Sequence, residues 1–156
     1  MKAFSVDNTK NFMAHLLARE TFDDFLLEEA TIKTYNTFSI NGRVIPEFYD
    51  DYEFSYEFSE WKNLKSICFD LIKGKTTPVA FQFVLQIKPE LVEKILKEGG
   101  SSVSPSLVKS FTLNIRYINS EITVITATSL NTFIPDRSAD ELWDAYIGSF
   151  LSRIIG

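Results

Sequence analysis

The chain is poor in the residues that most readily announce a chemistry. It has one cysteine, Cys68, so no intramolecular disulfide can form and a reducing compartment is the simplest reading. It has one histidine, His15, so cysteine and histidine never recur at zinc-ligand spacing. No G-x-S-x-G stretch is present to lift a nucleophile onto a strand–helix elbow. No window approaches the roughly 18 apolar residues that span a bilayer, so no membrane partner is expected. The opening MKAFSVDNTKNF holds no continuous apolar core of signal-peptide length, which points to a cytoplasmic protein. On these grounds no cofactor and no metal is expected.

What is present is an aromatic-rich chain of 156 residues, a length that fits one domain, 1–156. A domain of that size buries roughly 68–70% of its unfolded surface. Fourteen phenylalanines, six tyrosines and two tryptophans supply the core, and disorder over most of the length is not expected. The net charge is −5, unevenly placed: residues 1–19 carry +2, residues 20–60 carry −9, and residues 61–156 carry +2. An acidic lobe of this kind disfavours nucleic-acid phosphates locally and can attract a basic partner, or it can simply serve solubility.

Periodicity gives the elements. Lys2 to Val6 alternates as a short strand, and Asp7 or Asn8 can cap a helix carrying Phe12, Met13, Leu16 and Leu17 to about Arg19. Residues 26–40 read as one long strand with Leu26, Ala30, Ile32, Phe38 and Ile40 on one face. Asn41-Gly42 then reads as a hairpin turn. A second alternating stretch covers 51–58, with Tyr52, Phe54, Tyr56 and Phe58 facing one way. Ser59 can cap a helix to Lys73 whose apolar face holds Trp61, Leu64, Ile67, Cys68, Leu71 and Ile72. Val79 to Ile87 is a strand. Pro89 to Gly99 is a short helix, and Gly99 to Ser106 a polar loop. Phe111, Leu113, Ile115 and Tyr117 form a strand face. Asn119-Ser120 turns the chain, setting Ile122 and Val124 opposite Tyr117 and Ile115. A capping box at Ser138–Glu141 opens the last helix.

The order strand, helix, hairpin, helix occurs twice, in 1–75 and in 76–156. Trp61 and Trp143 each stand thirteen residues before a glycine, Gly74 and Gly156. The pattern suggests an internal duplication, although any amphipathic helix repeats at such spacings. The class is α+β, with a largely antiparallel sheet and amphipathic helices packed on it.

Few motifs suggest chemistry. GKTT at 74–77 resembles the end of a P-loop, but the required earlier glycine is Phe69, and the stretch follows a helix instead of opening one. A helix C-terminus repels phosphate, and Gly74 is better read as a left-handed helix terminator. His15 reads as a boundary residue beside an apolar stripe, and Cys68 as a buried, inert thiol. The run at 47–60 holds Glu47, Asp50, Asp51, Glu53, Glu57 and Glu60 with no basic residue. It can be a solvated edge strand protected by like charges, a docking strand, or a carboxylate site for a cation or hydrolysis. Phe69 falls near the polar face of its helix with Lys62, Lys65 and Lys73 nearby. It marks a second contact surface, or else a loop covers it.

The start MKAF, the pair Phe12-Met13, and LIKGK at 71–75 with Thr77-Pro78 resemble a family of uncharacterised small bacterial proteins over nearly the whole chain. The resemblance implies a bacterial, cytoplasmic origin and carries over no catalytic residue. The repeated element order is also similar to one domain of a DNA sliding clamp, from which it departs in the long helix closing each half and in lacking basic helices. The expectation is a non-enzymatic binding or adaptor domain for a protein partner of basic character, using Tyr49, Asp51, Tyr52, Glu53, Glu57 and Phe69. The alternatives are a small metal-assisted hydrolase using the acids of 47–60 with His15, or a structural subunit of a homo-oligomer. Nucleic acid is not expected as a partner.

Overall fold

The strand and helix signals resolve, in a computed structural model describing residues 1–49 and 56–155, into an α+β fold. The strands are β1 (Ala3–Val6), β2 (Phe25–Lys33), β3 (Thr37–Asn41), β4 (Ala80–Ile87), β5 (Val108–Ile118) and β6 (Glu121–Leu130). The helices are α1 (Thr9–Leu17), α2 (Trp61–Ile72), α3 (Pro89–Glu98) and α4 (Ser138–Ile155), with short 3-10 turns at Pro46–Phe48 and Pro105–Leu107. The strands form one sheet in the order β1-β6-β5-β4-β2-β3, and every neighbouring pair is antiparallel.

Alternation decides which face is covered. On β4, Phe81, Phe83, Leu85 and Ile87 are buried, while Ala80, Gln82, Val84 and Gln86 are less so. The covered face packs in one apolar cluster with Phe12 and Leu16 of α1, Trp61 and Cys68 of α2, Val92 and Leu96 of α3, and Trp143 and Ile147 of α4. The opposite face is open and polar: the Gln82 side chain donates to Asn114 at 3.0 Å and Gln86 to Glu28 at 3.0 Å. Both tryptophans are fully buried, and each indole N–H donates to a backbone carbonyl, Trp61 to Leu16 and Trp143 to Thr112, both at 2.9 Å. Those bonds satisfy the polar end of a side chain that is otherwise apolar payload. Thr126 also points into the covered face, where its hydroxyl donates to Asp144 at 2.5 Å.

The sheet corrects the reading of 26–42. The long strand is two strands, and the hairpin turn is Thr34-Tyr35-Asn36, not Asn41-Gly42. Lys33 pairs with Thr37, Ile32 with Phe38 and Ala30 with Ile40. An odd, three-residue loop passes the alternation through unchanged, so the even positions stay on the covered face on both sides of the turn. Gly42 serves a different need. A Cβ there would lie 1.7 Å from the Leu27 carbonyl oxygen, so only glycine admits this backbone approach, beside the irregularity in β2 between Leu27 and Glu29.

Other local expectations shift in the same way. Asn8 caps α1, its side chain accepting from the Asn11 N–H at 3.0 Å, and the helix ends at Leu17, short of Arg19. The backbone of Ser59 is taken by sheet-like bonds to Gly42 and Leu27, so Glu60 occupies the N-cap of α2 without a side-chain cap. At α4, the Asp136 carboxylate accepts from the Ser138 N–H at 2.8 Å, while the Ser138 hydroxyl is paired with Ser101. Ile67 was expected in the apolar face of α2 and is 51% exposed; burial on that helix centres on Trp61, Cys68 and Ile72. Gly74 does end the helix region, at φ +144°, outside the left-handed helical well but in territory that favours glycine. The turn at Asn119-Ser120, with φ of 53° and 65°, and the pairing of Ile122 with Tyr117 and Val124 with Ile115 are as expected.

The repeated element order is present, but the pairing does not repeat. β4 lies beside β5, whereas their counterparts in the first half, β1 and β2, are separated by three strands.

Candidate functional site

The acidic stretch is best built from its two ends, because Asp50, Asp51, Tyr52, Glu53, Phe54 and Ser55 lie outside the described residues. At the near end, β3 leaves the sheet after Asn41, and the Asn41 side chain accepts from the Arg43 N–H at 2.9 Å. Proline at 46 then suits the first position of the turn Pro46–Phe48. That turn leaves Ile45 65% and Phe48 82% exposed. The rings of Phe48 and Tyr49 meet edge to face with centroids 5.2 Å apart. Glu47, between the apolar residues, has no ion pair among the described residues.

At the far end the chain returns against its own start. Phe58 bridges Arg43, Glu60 bridges Leu26, and the Val44 N–H donates to the Glu57 carbonyl at 3.0 Å. Glu57 forms an ion pair with Arg43, whose guanidinium also lies 5.1 Å over the Phe58 ring. The Tyr56 hydroxyl donates to Glu90 in the first turn of α3, and that bond, more than burial, pushes its pKa up to about 12. Lys88 ties the same corner together. Its ammonium is 2.8 Å from Glu60 and 5.7 Å from the Tyr56 ring centre. The Lys88 hydrogen bond, opposed by partial burial, holds the Glu60 carboxyl below its ordinary range. Two of the run's acids, Glu57 and Glu60, are therefore engaged within the chain.

The remaining sequence candidates are not gathered at this place. Phe69 is 39% exposed on α2, under the Lys73 ammonium at 5.8 Å, and is not fully covered by a loop. The basic residues expected around it are largely committed elsewhere. Lys65 turns inward to Asp23 at 2.7 Å and to the Arg19 carbonyl at 2.8 Å, while Lys73 pairs with Asp70 and Lys62 with Glu60. His15 sits in the last turn of α1 with both ring nitrogens occupied. Arg19 donates to Nε2 at 3.0 Å, which makes Nε2 the acceptor and leaves the proton on Nδ1, 2.7 Å from the Thr21 hydroxyl. Burial, and then the Arg19 charge, lower its pKa from the ordinary 6.5. Cys68 is fully buried, and desolvation pushes its thiol up to about 12. Among the described residues no three acids, histidines or cysteines converge as a cation site would require.

Sequence reasoning passed over Ile45 and Phe48. Their signal was the proline at 46: a 3-10 turn just outside a sheet has no second layer to cover its side chains. No described helix is long and apolar enough to cross a membrane. Comparison with curated proteins and with solved structures gives no match. Residues 15–154 do match one family model, described as a family of unknown function (DUF5721), and the chain belongs to that family.

Proposed function

We propose that the chain is a non-enzymatic binding or adaptor domain whose partner is a basic protein segment carrying an apolar side chain. The observation that carries this reading is the contiguous exposed group Ile45, Phe48 and Tyr49, with Glu47 among them. It lies in the part of the chain whose charge is acidic throughout 47–60. An exposed apolar patch rimmed by charge of one sign is the usual mark of an interaction surface. Asp51, Tyr52 and Glu53 join the proposed surface through their sequence position alone. Glu57 contributes less charge than its neighbours because Arg43 offsets it. Phe69 offers a second apolar contact for the same or another partner.

The hydrolase alternative needs His15 beside the acids, and its bonds to Arg19 and Thr21 give that reading no support. The proposal extends to a single domain, favoured by a core cluster that draws on both halves, and to a cytoplasmic, bacterial setting in which the one buried thiol stays reduced.

The test is selection from a displayed library of random peptides. Enriched peptides should combine Lys or Arg with an aromatic or aliphatic residue and should weaken as salt rises. Binding should be lost in Phe48→Ser and in the combined Asp51→Ser, Glu53→Ser, Glu57→Ser variant, both with unchanged circular dichroism. Failure to enrich any such class, or capture that survives both variants, overturns the reading.

A further inference from the structure

The open face of the sheet carries a second feature, made by residues far apart in sequence. Thr31, Gln82 and Arg116 are cross-strand neighbours on β2, β4 and β5, and Lys33, Ala80 and Ile118 form the next row. All six lie on the face away from the helices. Ala80 stands between two longer side chains in its row, and the dip it leaves is part of a shallow cavity of about 290 Å³. Phe81 and Tyr117, whose rings stack at 4.9 Å on the helix side, complete the floor.

Two cations stand at this cavity's rim, Lys33 and Arg116, both exposed. Neither has an ion pair or a side-chain hydrogen bond among the described residues. Among the described residues Arg116 is the one arginine with neither a polar nor an aromatic side-chain partner. Arg19 bonds His15, Arg43 pairs with Glu57, Arg137 with Asp140, and Arg153 stacks on Phe150. Two strand spacings and two residues of rise place the Lys33 and Arg116 Cα atoms roughly 12 Å apart. From that separation two long basic side chains can close on one group from opposite sides. The acids that share the neighbourhood are Glu29 on β2 and Glu121, which pairs with Ile118 across the β5–β6 hairpin. Neither forms an ion pair with the two cations. Gln82 spends one amide N–H on Asn114 and keeps a second N–H and its carbonyl for other use.

We infer that this cavity binds a small organic anion, a phosphate or carboxylate on a compact apolar body. Lys33 and Arg116 hold the anion, Ala80 and Ile118 support the body, and Gln82 and Thr31 supply orienting hydrogen bonds. The two cations then gain the counter-charge that the fold leaves out, and a guanidinium can take either oxyanion through two parallel bonds. The cavity lining presents no aromatic face to solvent on which a nucleotide base could stack, which argues for a small anion and against a nucleic-acid strand.

The probes are phenyl phosphate, benzoate and inorganic phosphate, titrated into isotopically labelled full-length protein in a buffer free of other oxyanions. Saturating amide shifts are expected at Thr31, Ala80, Gln82, Arg116 and Ile118 with phenyl phosphate, benzoate or both, and the stronger of the two identifies the anion. Arg116→Gln should weaken that probe roughly tenfold, the loss of one charged hydrogen-bonding group. Lys33→Gln with Arg116→Gln should abolish the shifts while leaving the rest of the spectrum in place. Absence of saturation with both organic probes, shifts that persist in the double variant, or inorganic phosphate binding as tightly as phenyl phosphate overturns the assignment.

Discussion

Replacing Gly42 by alanine tests the account of how the chain leaves the sheet and returns. An added Cβ meets the Leu27 carbonyl oxygen at 1.7 Å, its carbon at 2.6 Å and the Glu28 carbonyl oxygen at 3.1 Å. These are backbone atoms, so no rotamer change relieves the clash, and the two segments must part. Parting them costs the three backbone bonds that join the segments, Gly42 N–H to Glu28, Ser59 N–H to Gly42 and Leu27 N–H to Ser59. At about 1 kcal/mol net per bond, the loss is about 3 kcal/mol, before any strain that remains. That is a large share of the roughly 5–15 kcal/mol that holds a domain folded.

Urea unfolding followed by tryptophan fluorescence measures the change, since Trp61 follows the displaced segment directly. Gly42→Asn separates this account from the hairpin-turn reading. Asparagine tolerates positive φ, so a turn would accept it better than alanine. Close approach makes no such distinction, because both residues carry the offending Cβ. Equal losses of about 3 kcal/mol are expected. A loss under about 1 kcal/mol for alanine, or clear rescue by asparagine, refutes the reasoning.

Two further expectations concern the groups that sequence reading set aside. His15 should titrate below 6.5 by NMR; Arg19→Ala should raise its pKa and leave it below 6.5, because burial, the larger cause, remains. With a folded pKa below the unfolded one, His15 contributes stability above pH 6.5 that is lost as pH falls through its folded pKa; a pKa that falls or stays put in Arg19→Ala contradicts the Arg19 contact. Cys68 should resist a thiol-specific disulfide reagent in the native protein at mildly alkaline pH and react fully in urea; native labelling at the rate of a free thiol contradicts its burial.

Strands β5 and β6 were legible because turn and alternation agree. Asn119-Ser120 can adopt positive φ, and Tyr117, Ile115, Ile122 and Val124 then meet across it. The β2–β3 hairpin was not, because Thr34-Tyr35-Asn36 lacks the glycine signal and its odd length conceals the reversal. Asn41-Gly42 carried that signal for another reason, the Leu27 carbonyl. Lys65 lies on α2 and Lys73 caps its C-terminus, and only the fold reveals that Lys65 is spent on Asp23. The acidic run was visible as composition, but the bonds of Glu57 to Arg43 and of Glu60 to Lys88 depend on residues from β3's exit and the β4–α3 junction. Lys33 and Arg116 had no local signal at all, because only the sheet's register brings their rows together.

The unequal pairing of the two halves also bears on where binding surfaces can form. Strands β4, β5 and β6 are contiguous, whereas the first half supplies both edges, β1 on one side and β2–β3 on the other. Among the described residues, β1 pairs only with β6, and the β2–β3 hairpin joins the sheet only through β4. A hairpin alone is marginal in water, so the first half depends on the second for its strands to persist. That dependence argues for folding as one cooperative unit. Among the described residues β3 is an edge, from which the chain runs out through Arg43 to the exposed turn at Pro46–Phe48. The open face one strand inward carries the Lys33–Arg116 cavity. Acid and cation are thus segregated along the strands: the acidic, apolar turn follows the Asn41 end of β3, and the basic cavity lies on the open face towards the β2–β3 hairpin, at Lys33.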